Sequence, residues 1–247
     1  MATELVSTEP ATGREIWHGK SGDVDQTVER ARTAMRSWAR EPLARRIELM
    51  RRFANQVRKH AEPFAELIAR ETGKPLWEAR TEVEAVIGKV EISIKAYAER
   101  TGQRKLDSAL RGTAALRHKP HGVMAVLGPY NFPAHLPNGH IIPALIAGNV
   151  VIFKPSEKTP SAALFLARLW REAGLPAGVF TVVNGDREAV DALVAHPDVR
   201  ALSFVGSTPV ARRLYEECAR RGKRVQALGG AKNHMVVLPD ADLDAAA

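Results

Sequence analysis

Three short loops carry residues whose types and order suit chemistry on an anionic ligand and a carbonyl group. The first is Gly128-Pro129-Tyr130-Asn131-Phe132-Pro133. Two prolines stiffen it and hold Asn131 between aromatics. A rigidly held amide N–H can stabilise a developing oxyanion by roughly 3 kcal/mol. A turn asparagine, the commoner role of that residue, is the other reading. The second is Lys154-Pro155-Ser156-Glu157. A lysine and a carboxylate there can both hydrogen-bond a ribose, and Glu157 would repel a 2′-phosphate. A surface turn with a loose ion pair is the alternative. The third is Gly206-Ser207-Thr208-Pro209. Its backbone amides and the Ser207 hydroxyl can meet a phosphate at a helix start. It can equally be a helix start capped by Ser207 or Thr208, with Pro209 in the first turn.

Other reactive residue types fit less well. His135 and His140 lie five apart, whereas a metal pair on one helix face needs a spacing of four, so no metal site is expected. His234 reads as structural. Glu216 and Glu217 stand among arginines and read as surface charge. Cys218 falls in mid-helix, where a half-buried spectator is expected; a reactive thiolate needs an electropositive, partly exposed setting. No G-x-G-x-x-G occurs, so the ordinary dinucleotide signature is absent.

The elements that must position these loops come in two styles. Residues 24 to 103 read as helices. Leu43, Ile47, Met50, Phe53, Ala54 and Val57 recur at helical spacing, with arginines and lysines turned outward. A helix through Phe64–Thr72 should stop at Gly73, in the left-handed conformation, with Pro75 just beyond. Another runs from Trp77 to Arg100 and stops near Gly102; Gly88 inside it suggests a close packing contact.

From residue 121 strands and helices alternate. Strands are expected at Gly122–Leu127, Val150–Lys154, Val179–Val183, Leu202–Val205 and Arg224–Leu228. Helices are expected at Leu136–Ala147, Ser161–Ala173, Arg187–Ala195 and Pro209–Arg221. Thr159 and Pro160 read as the N-cap and first residue of the second helix. Continuous apolar strands spaced by helices make an α/β fold, a doubly wound, Rossmann-like parallel sheet preceded by a helical N-terminal segment. Ligands of such sheets bind at the carboxyl ends of the strands, where the three loops lie together with Asn184–Arg187.

Length and composition set the bounds. The chain has 247 residues, 45% of them hydrophobic and 26% charged, as expected for one large globular domain or two small ones. No apolar run is long enough to span a membrane. Met1 to Pro10 carries Glu4 and Glu9 and does not read as a secretory signal. One cysteine excludes an internal disulfide and a cysteine-based zinc site, and a reducing, cytoplasmic setting is expected. The net charge is +8, but basic residues alternate with acids, as in Glu29-Arg30, and aromatics make up only 6%. That is the texture of solvated helix faces, so no nucleic-acid partner is expected.

Taken together, Gly128–Pro133, Lys154–Glu157, Phe204–Thr208 and Leu228–Gly230 resemble the aldehyde dehydrogenase superfamily in order and spacing. Residues 8 to 175 resemble the succinylglutamate-semialdehyde type. The stretches Ala69–Pro75, Ile92–Tyr97 and Gly128–Gly139 carry that likeness. From Phe180 onward, Val182–Asp186, His196–Val199, Phe204–Pro209 and Gln226–His234 resemble the methylmalonate-semialdehyde type. The resemblance implies oxidation of an aldehyde, such as succinylglutamate semialdehyde in arginine catabolism, with NAD as cofactor and a homo-oligomer for the full-length family. It places Asn131 on the oxyanion, Lys154 and Glu157 on the adenosine ribose, Ser207 on the pyrophosphate and Leu228 beside the cofactor, with Pro155 and Gly206 shaping the loops. The family's water-activating glutamate usually precedes Leu-Gly-Gly; here that position is Ala227. The methylmalonate type also lacks it and passes its acyl group to coenzyme A. The family's nucleophilic cysteine lies downstream in a second domain, so residues 1–247 are expected to be the NAD-binding portion without the catalytic domain.

Overall fold

A computed structural model describes residues 3–102, 104–106, 112 and 114–246. Met1 and Ala2 of the stretch Met1–Pro10, Gln103 at the expected helical boundary and Ala247 at the end lie outside them. A hairpin comes first, β1 (Glu4–Thr8) and β2 (Glu15–Lys20). Four helices follow: α1 (Val24–Arg40), α2 (Leu43–Lys59), α3 (Ala61–Thr72) and α4 (Leu76–Arg100). Two three-residue strands, β3 (Arg104–Leu106) and β4 (Ala114–Leu116), pair antiparallel.

The second half alternates strictly. It runs β5 (Val123–Leu127), α5 (His135–Ile146), β6 (Val150–Lys154), α6 (Pro160–Glu172), β7 (Phe180–Val182), α7 (Arg187–Ala195), β8 (Val199–Val205), α8 (Thr208–Arg220) and β9 (Arg224–Leu228), with a short α9 (Leu243–Ala246) near the end. The five strands form one parallel sheet in the order β7-β6-β5-β8-β9. Helix α1 packs on β5, β6 and β7 and against α7. Helix α5 packs between β5, β6 and β8 and the outer α4, and α6 lies under α2 and α3. This is the doubly wound, Rossmann-like arrangement expected, with the N-terminal helices wrapped around it.

The strands read as apolar runs because both faces are covered: all five residues of β6 are buried. Phe53 of α2 stacks on Trp170 of α6 with ring centroids 3.7 Å apart, and the Trp38 indole N–H reaches the Leu145 carbonyl at 3.2 Å. Gly73 ends α3 with φ +76°, as expected for a left-handed terminus. Buried Asn149 joins three pieces of backbone. Its Oδ1 accepts from the amides of His121 at 2.7 Å and Gly122 at 3.1 Å, and its Nδ2 donates to Ala144 at 3.1 Å.

Several expectations need correction. Gly88 is exposed, and a Cβ there would meet nothing within 4 Å, so it marks no packing contact. The strand expected from Leu202 begins at Val199, because exposed Arg200 interrupts its apolar run. His234 is exposed rather than structural, and Cys218 is fully buried rather than half-buried. The segment around His234 leaves Met235, Val236 and Leu238 more than half exposed, the kind of apolar surface that favours association.

Replacing Asn149 with alanine leaves buried amide and carbonyl groups unmet. We expect a loss of about 2 kcal/mol, seen as a lower urea midpoint at unchanged slope.

Candidate functional site

The strand order fixes where a ligand can sit. β5 is the first strand of the sheet, with β6 and β7 added on one side and β8 and β9 on the other. The chain therefore reverses across the sheet at β5 and β8, and the crevice of such folds opens at their carboxyl ends. Leu127, the last residue of β5, pairs with Lys154 and Phe204, and Val205 pairs with Leu228. All the loops singled out in the sequence leave this one edge. Two strand spacings separate the ends of β6 and β8, about 10 Å.

Contacts tie the loops in pairs. The Gly128 amide donates to the Lys154 carbonyl at 3.1 Å, and the Lys158 ammonium lies 4.9 Å over the exposed Tyr130 ring. Gly128 lies against Phe153, and a Cβ on it would come within 2.8 Å of that ring, so glycine permits this approach. On the other side, the Gly206 amide donates to the Leu228 carbonyl at 3.1 Å. The Gly230 amide donates to Thr208 Oγ1 at 3.0 Å, which keeps the loop after β9 on the start of α8. Asn131, Glu157, Ser207 and Leu228 are all exposed. Concavities of about 520, 750, 240 and 350 Å³ lie elsewhere, and none is lined by these four residues. The loops form an open ledge.

Lys154 is the exception to that exposure. Its side chain is 8% exposed and its ammonium is 3.6 Å from the half-exposed Glu157 carboxylate. Burial pushes its pKa down, and Glu157 pulls it partly back. A charge held this way costs stability, so packing alone does not account for it.

Four helices start at this edge, and their first turns differ. The amides of Ala134 and His135, at the start of α5, donate to Glu82 Oε1 at 2.9 and 3.0 Å. Those of Ser161 and Ala162, at the start of α6, donate to the Glu71 carboxylate at 2.7 and 2.8 Å. The Glu188 amide of α7 donates to Asp186 Oδ1 at 2.9 Å. Ser207 precedes α8 without making any side-chain cap bond. Among the described residues, α8 alone of the four starts without a carboxylate. Thr159, expected as the cap of α6, makes no cap bond, and its buried hydroxyl oxygen has no partner among the described residues. Glu71 replaces it, from another part of the chain. A carboxylate from a distant helix carries no local signature, so Glu71 and Glu82 were not legible as caps. The stretch Ala69–Pro75 was conspicuous only for its resemblance.

The remaining candidates resolve simply. His140 Nδ1 lies 2.9 Å from Ser203 Oγ, and His135 stands edge-on to Phe132. Among the described residues, no three of His, Cys, Asp and Glu group so as to hold a metal. Glu216 and Glu217 pair with Arg220 and Arg221. Burial pushes the Cys218 thiol up, away from a nucleophilic thiolate, with Lys223 and Arg221 opposing weakly. Among the described residues, no helix is long and apolar enough to cross a membrane.

Comparison with known proteins extends this geometry. The sequence profile of the Aldehyde dehydrogenase family matches residues 2–247. N-succinylglutamate 5-semialdehyde dehydrogenase of Novosphingobium aromaticivorans is 60% identical over 96% of the chain, and that of Sphingopyxis alaskensis is 54% identical over all of it. The chain spans about half the length of these relatives, 50% and 52%. Among solved structures, methylmalonate-semialdehyde dehydrogenase of Oceanimonas doudoroffii superposes with a TM-score of 0.92 at 40% identity, over 99% of this chain and 51% of that one. A putative methylmalonate-semialdehyde dehydrogenase of Sinorhizobium meliloti 1021, complexed with NAD, gives 0.90 at 38% identity, over 100% of this chain and 50% of that one. Both likenesses seen in the sequence recur, each over nearly the whole chain.

Two outcomes follow from the buried charges. Lys154→Met should raise stability in urea by about 1 kcal/mol, because an apolar side chain of similar length removes a desolvated charge. Burial holds His135 and His140 below their ordinary value, with Lys89 opposing their charge further. Between that lowered value and about 6.5 the unfolded chain binds more protons, so stability falls as pH drops below about 6.5. His140→Asn should flatten this slope in thermal melts at pH 7 and pH 5.

Proposed function

Because the chain belongs to the aldehyde dehydrogenase family, whose profile it matches over residues 2–247, we propose that it is the NAD-binding part of an enzyme that oxidises an aldehyde to the acid. The observation that carries this reading is the uncapped start of α8. Its first amides and the Ser207 hydroxyl lie on the same sheet edge as the buried Lys154 and exposed Asn131. That donor set fits a dinucleotide. The α8 amides and Ser207 would take the pyrophosphate. Lys154 would donate to a ribose hydroxyl and Glu157 accept from one. Gly206 and Pro155 shape the two loops, and Leu228 gives an apolar wall at the end of β9.

When bound, NAD supplies the hydride acceptor. Asn131, exposed in the middle of the loop after β5, would donate its side-chain N–H to the oxyanion formed as a nucleophile adds to the aldehyde. Cys218 is no candidate for that nucleophile: it is fully buried on the far stretch of α8 and its thiol is pushed up. The thiolate that the family uses, and most of the aldehyde pocket, belong in this reading to the part of the protein beyond residues 1–247. A reducing, cytoplasmic setting and a homo-oligomer of the full-length protein are part of the same proposal.

The substrate proposed is N-succinylglutamate semialdehyde, a step in arginine catabolism. Support comes from relatives of that name at 60% and 54% identity. Ala227 favours one second reading. It stands half-buried before Leu228-Gly229-Gly230 and offers no general base to activate water. Release of the acyl group to coenzyme A, as the methylmalonate type does, would need none at that position.

Isothermal titration of NAD and NADP into the purified chain tests the cofactor reading. NAD should bind more tightly than NADP, and Glu157→Gln should narrow the ratio by about tenfold, because a carboxylate repels the 2′-phosphate. An unchanged ratio would remove Glu157 from the site.

A further inference from the structure

The stretch Ala69–Pro75 is prominent in the sequence, and it meets the ledge through Lys74, whose ammonium lies 3.9 Å over the Phe132 ring. Its Glu71 is 3% exposed, a rare burial for a carboxylate. Both oxygens are engaged. Oε1 accepts from the Ser161 amide at 2.7 Å and Oε2 from the Ala162 amide at 2.8 Å, closing the first turn of α6. The Ser7 hydroxyl of β1 lies 3.2 Å from Oε1 and 2.9 Å from the Lys158 carbonyl. Only four residues separate β6 from Thr159, and each end of that short loop is held. Lys154 ends β6. The Ser156 carbonyl accepts from the Thr159 amide at 3.1 Å, and Lys158 and α6 hang on Ser7 and Glu71. Glu157 is the residue next to the anchored Lys158 carbonyl.

Such a carboxylate is costly. Burial pushes the Glu71 pKa up, while the amides of Ala162 and Ser161 and the hydroxyl of Ser7 hold it back. An apolar residue there would avoid that cost but would leave the Ser161 and Ala162 amides unmet, so what the carboxylate secures is the start of α6 and the loop that leads into it. Glu82 makes a useful contrast. It is equally buried and also closes a helix, α5, but it is paired with Lys74 at 2.9 Å and touches the Asn131 side of the ledge.

We infer that Glu71, with Ser7, is a positioning residue for the cofactor: it fixes the start of α6 and the Lys158 carbonyl, and thereby sets Glu157 at the ribose. The inference rests on the reading that Lys154 and Glu157 hold a ribose.

The test is a double-mutant cycle on the full chain, with NAD affinity read by isothermal titration. Glu71→Gln should weaken NAD about tenfold when Glu157 is present, because a positioning error is felt through the group it positions. In a Glu157→Ala background the same change should cost less than about twofold. Glu82→Gln, which removes a helix cap of the same kind, should cost the same factor in both backgrounds. Ser7→Ala leaves the carboxylate in place and should repeat the Glu71→Gln pattern, which keeps the test usable if Glu71→Gln does not fold. Amide hydrogen exchange should quicken at Ser161 and Ala162 in Glu71→Gln and stay unchanged at the start of α8. Equal losses in both Glu157 backgrounds, or no loss in either, would overturn the inference. If the unaltered chain binds no NAD, the ribose reading itself falls and takes the role at the ribose with it. Exchange at Ser161 and Ala162 then reports separately whether Glu71 holds the loop.

Discussion

A helix that begins at the carboxyl edge of a parallel sheet points bare N–H groups, and the positive end of its dipole, at whatever lies there. In this protein that demand is met by carboxylates at three of four helices. Glu82 closes α5, Glu71 closes α6 and Asp186 closes α7. Two of these come from the N-terminal helices, tens of residues away in sequence. Helices α3 and α4 therefore do more than cover the sheet. They carry the charges that let α5 and α6 end inside the molecule. The contacts are charge-assisted and short, and their loss would leave both a carboxylate and two amides unsatisfied in the interior.

The same arrangement explains the shape of the ledge. The loop after β5 and the loop after β6 are braced from below by α3, α4 and β1, and they are joined by the Gly128–Lys154 hydrogen bond and the Lys158–Tyr130 contact. The loops after β8 and β9 are joined separately, by Gly206 to Leu228 and by Gly230 to Thr208. Two stiff pairs thus face each other across the reversal point of the sheet. Lys154 belongs to the braced pair, and its buried ammonium sits against a half-exposed partner rather than a full one. Such imbalance is a cost that folding alone would not retain.

Much of this was legible in the sequence, and the reason differs element by element. Val150–Lys154, Arg187–Ala195 and Arg224–Leu228 were read with their observed bounds, because each apolar run is closed by proline, glycine or a charged turn. The loops bearing Asn131, Glu157 and Ser207 were legible because strand-to-helix turns in a parallel sheet must share one edge. The β1–β2 hairpin was missed. Its alternation is short, only Leu5 and Ser7 of β1 are buried, and one of them is polar. Gly88 misled, since a glycine in mid-helix signals close packing only when something packs there. Glu71 and Glu82 were invisible as caps, because their partners lie 90 and 52 residues away and no local pattern encodes such pairing.

The distribution of caps also bears on the missing glycine-rich signature. Dinucleotide folds that use G-x-G-x-x-G bring the pyrophosphate onto the helix after the first strand. Here that helix is α5, and its first amides are already taken by Glu82, backed by Lys74. An anion arriving there would meet a buried carboxylate. The start of α6 is closed to it by Glu71 in the same way, and that of α7 by Asp186. Among the described residues, α8 alone of these four helices presents uncapped amides, with Ser207 making no side-chain cap bond at its entrance. An anion bound at α8, as proposed above, would lie across the reversal point, towards the β8 and β9 side, and would leave the β5 loop free for Asn131. In the reading proposed above, the absent glycines and the buried glutamates are two aspects of one constraint: the first helix already holds a protein carboxylate, so a phosphate would be directed to α8.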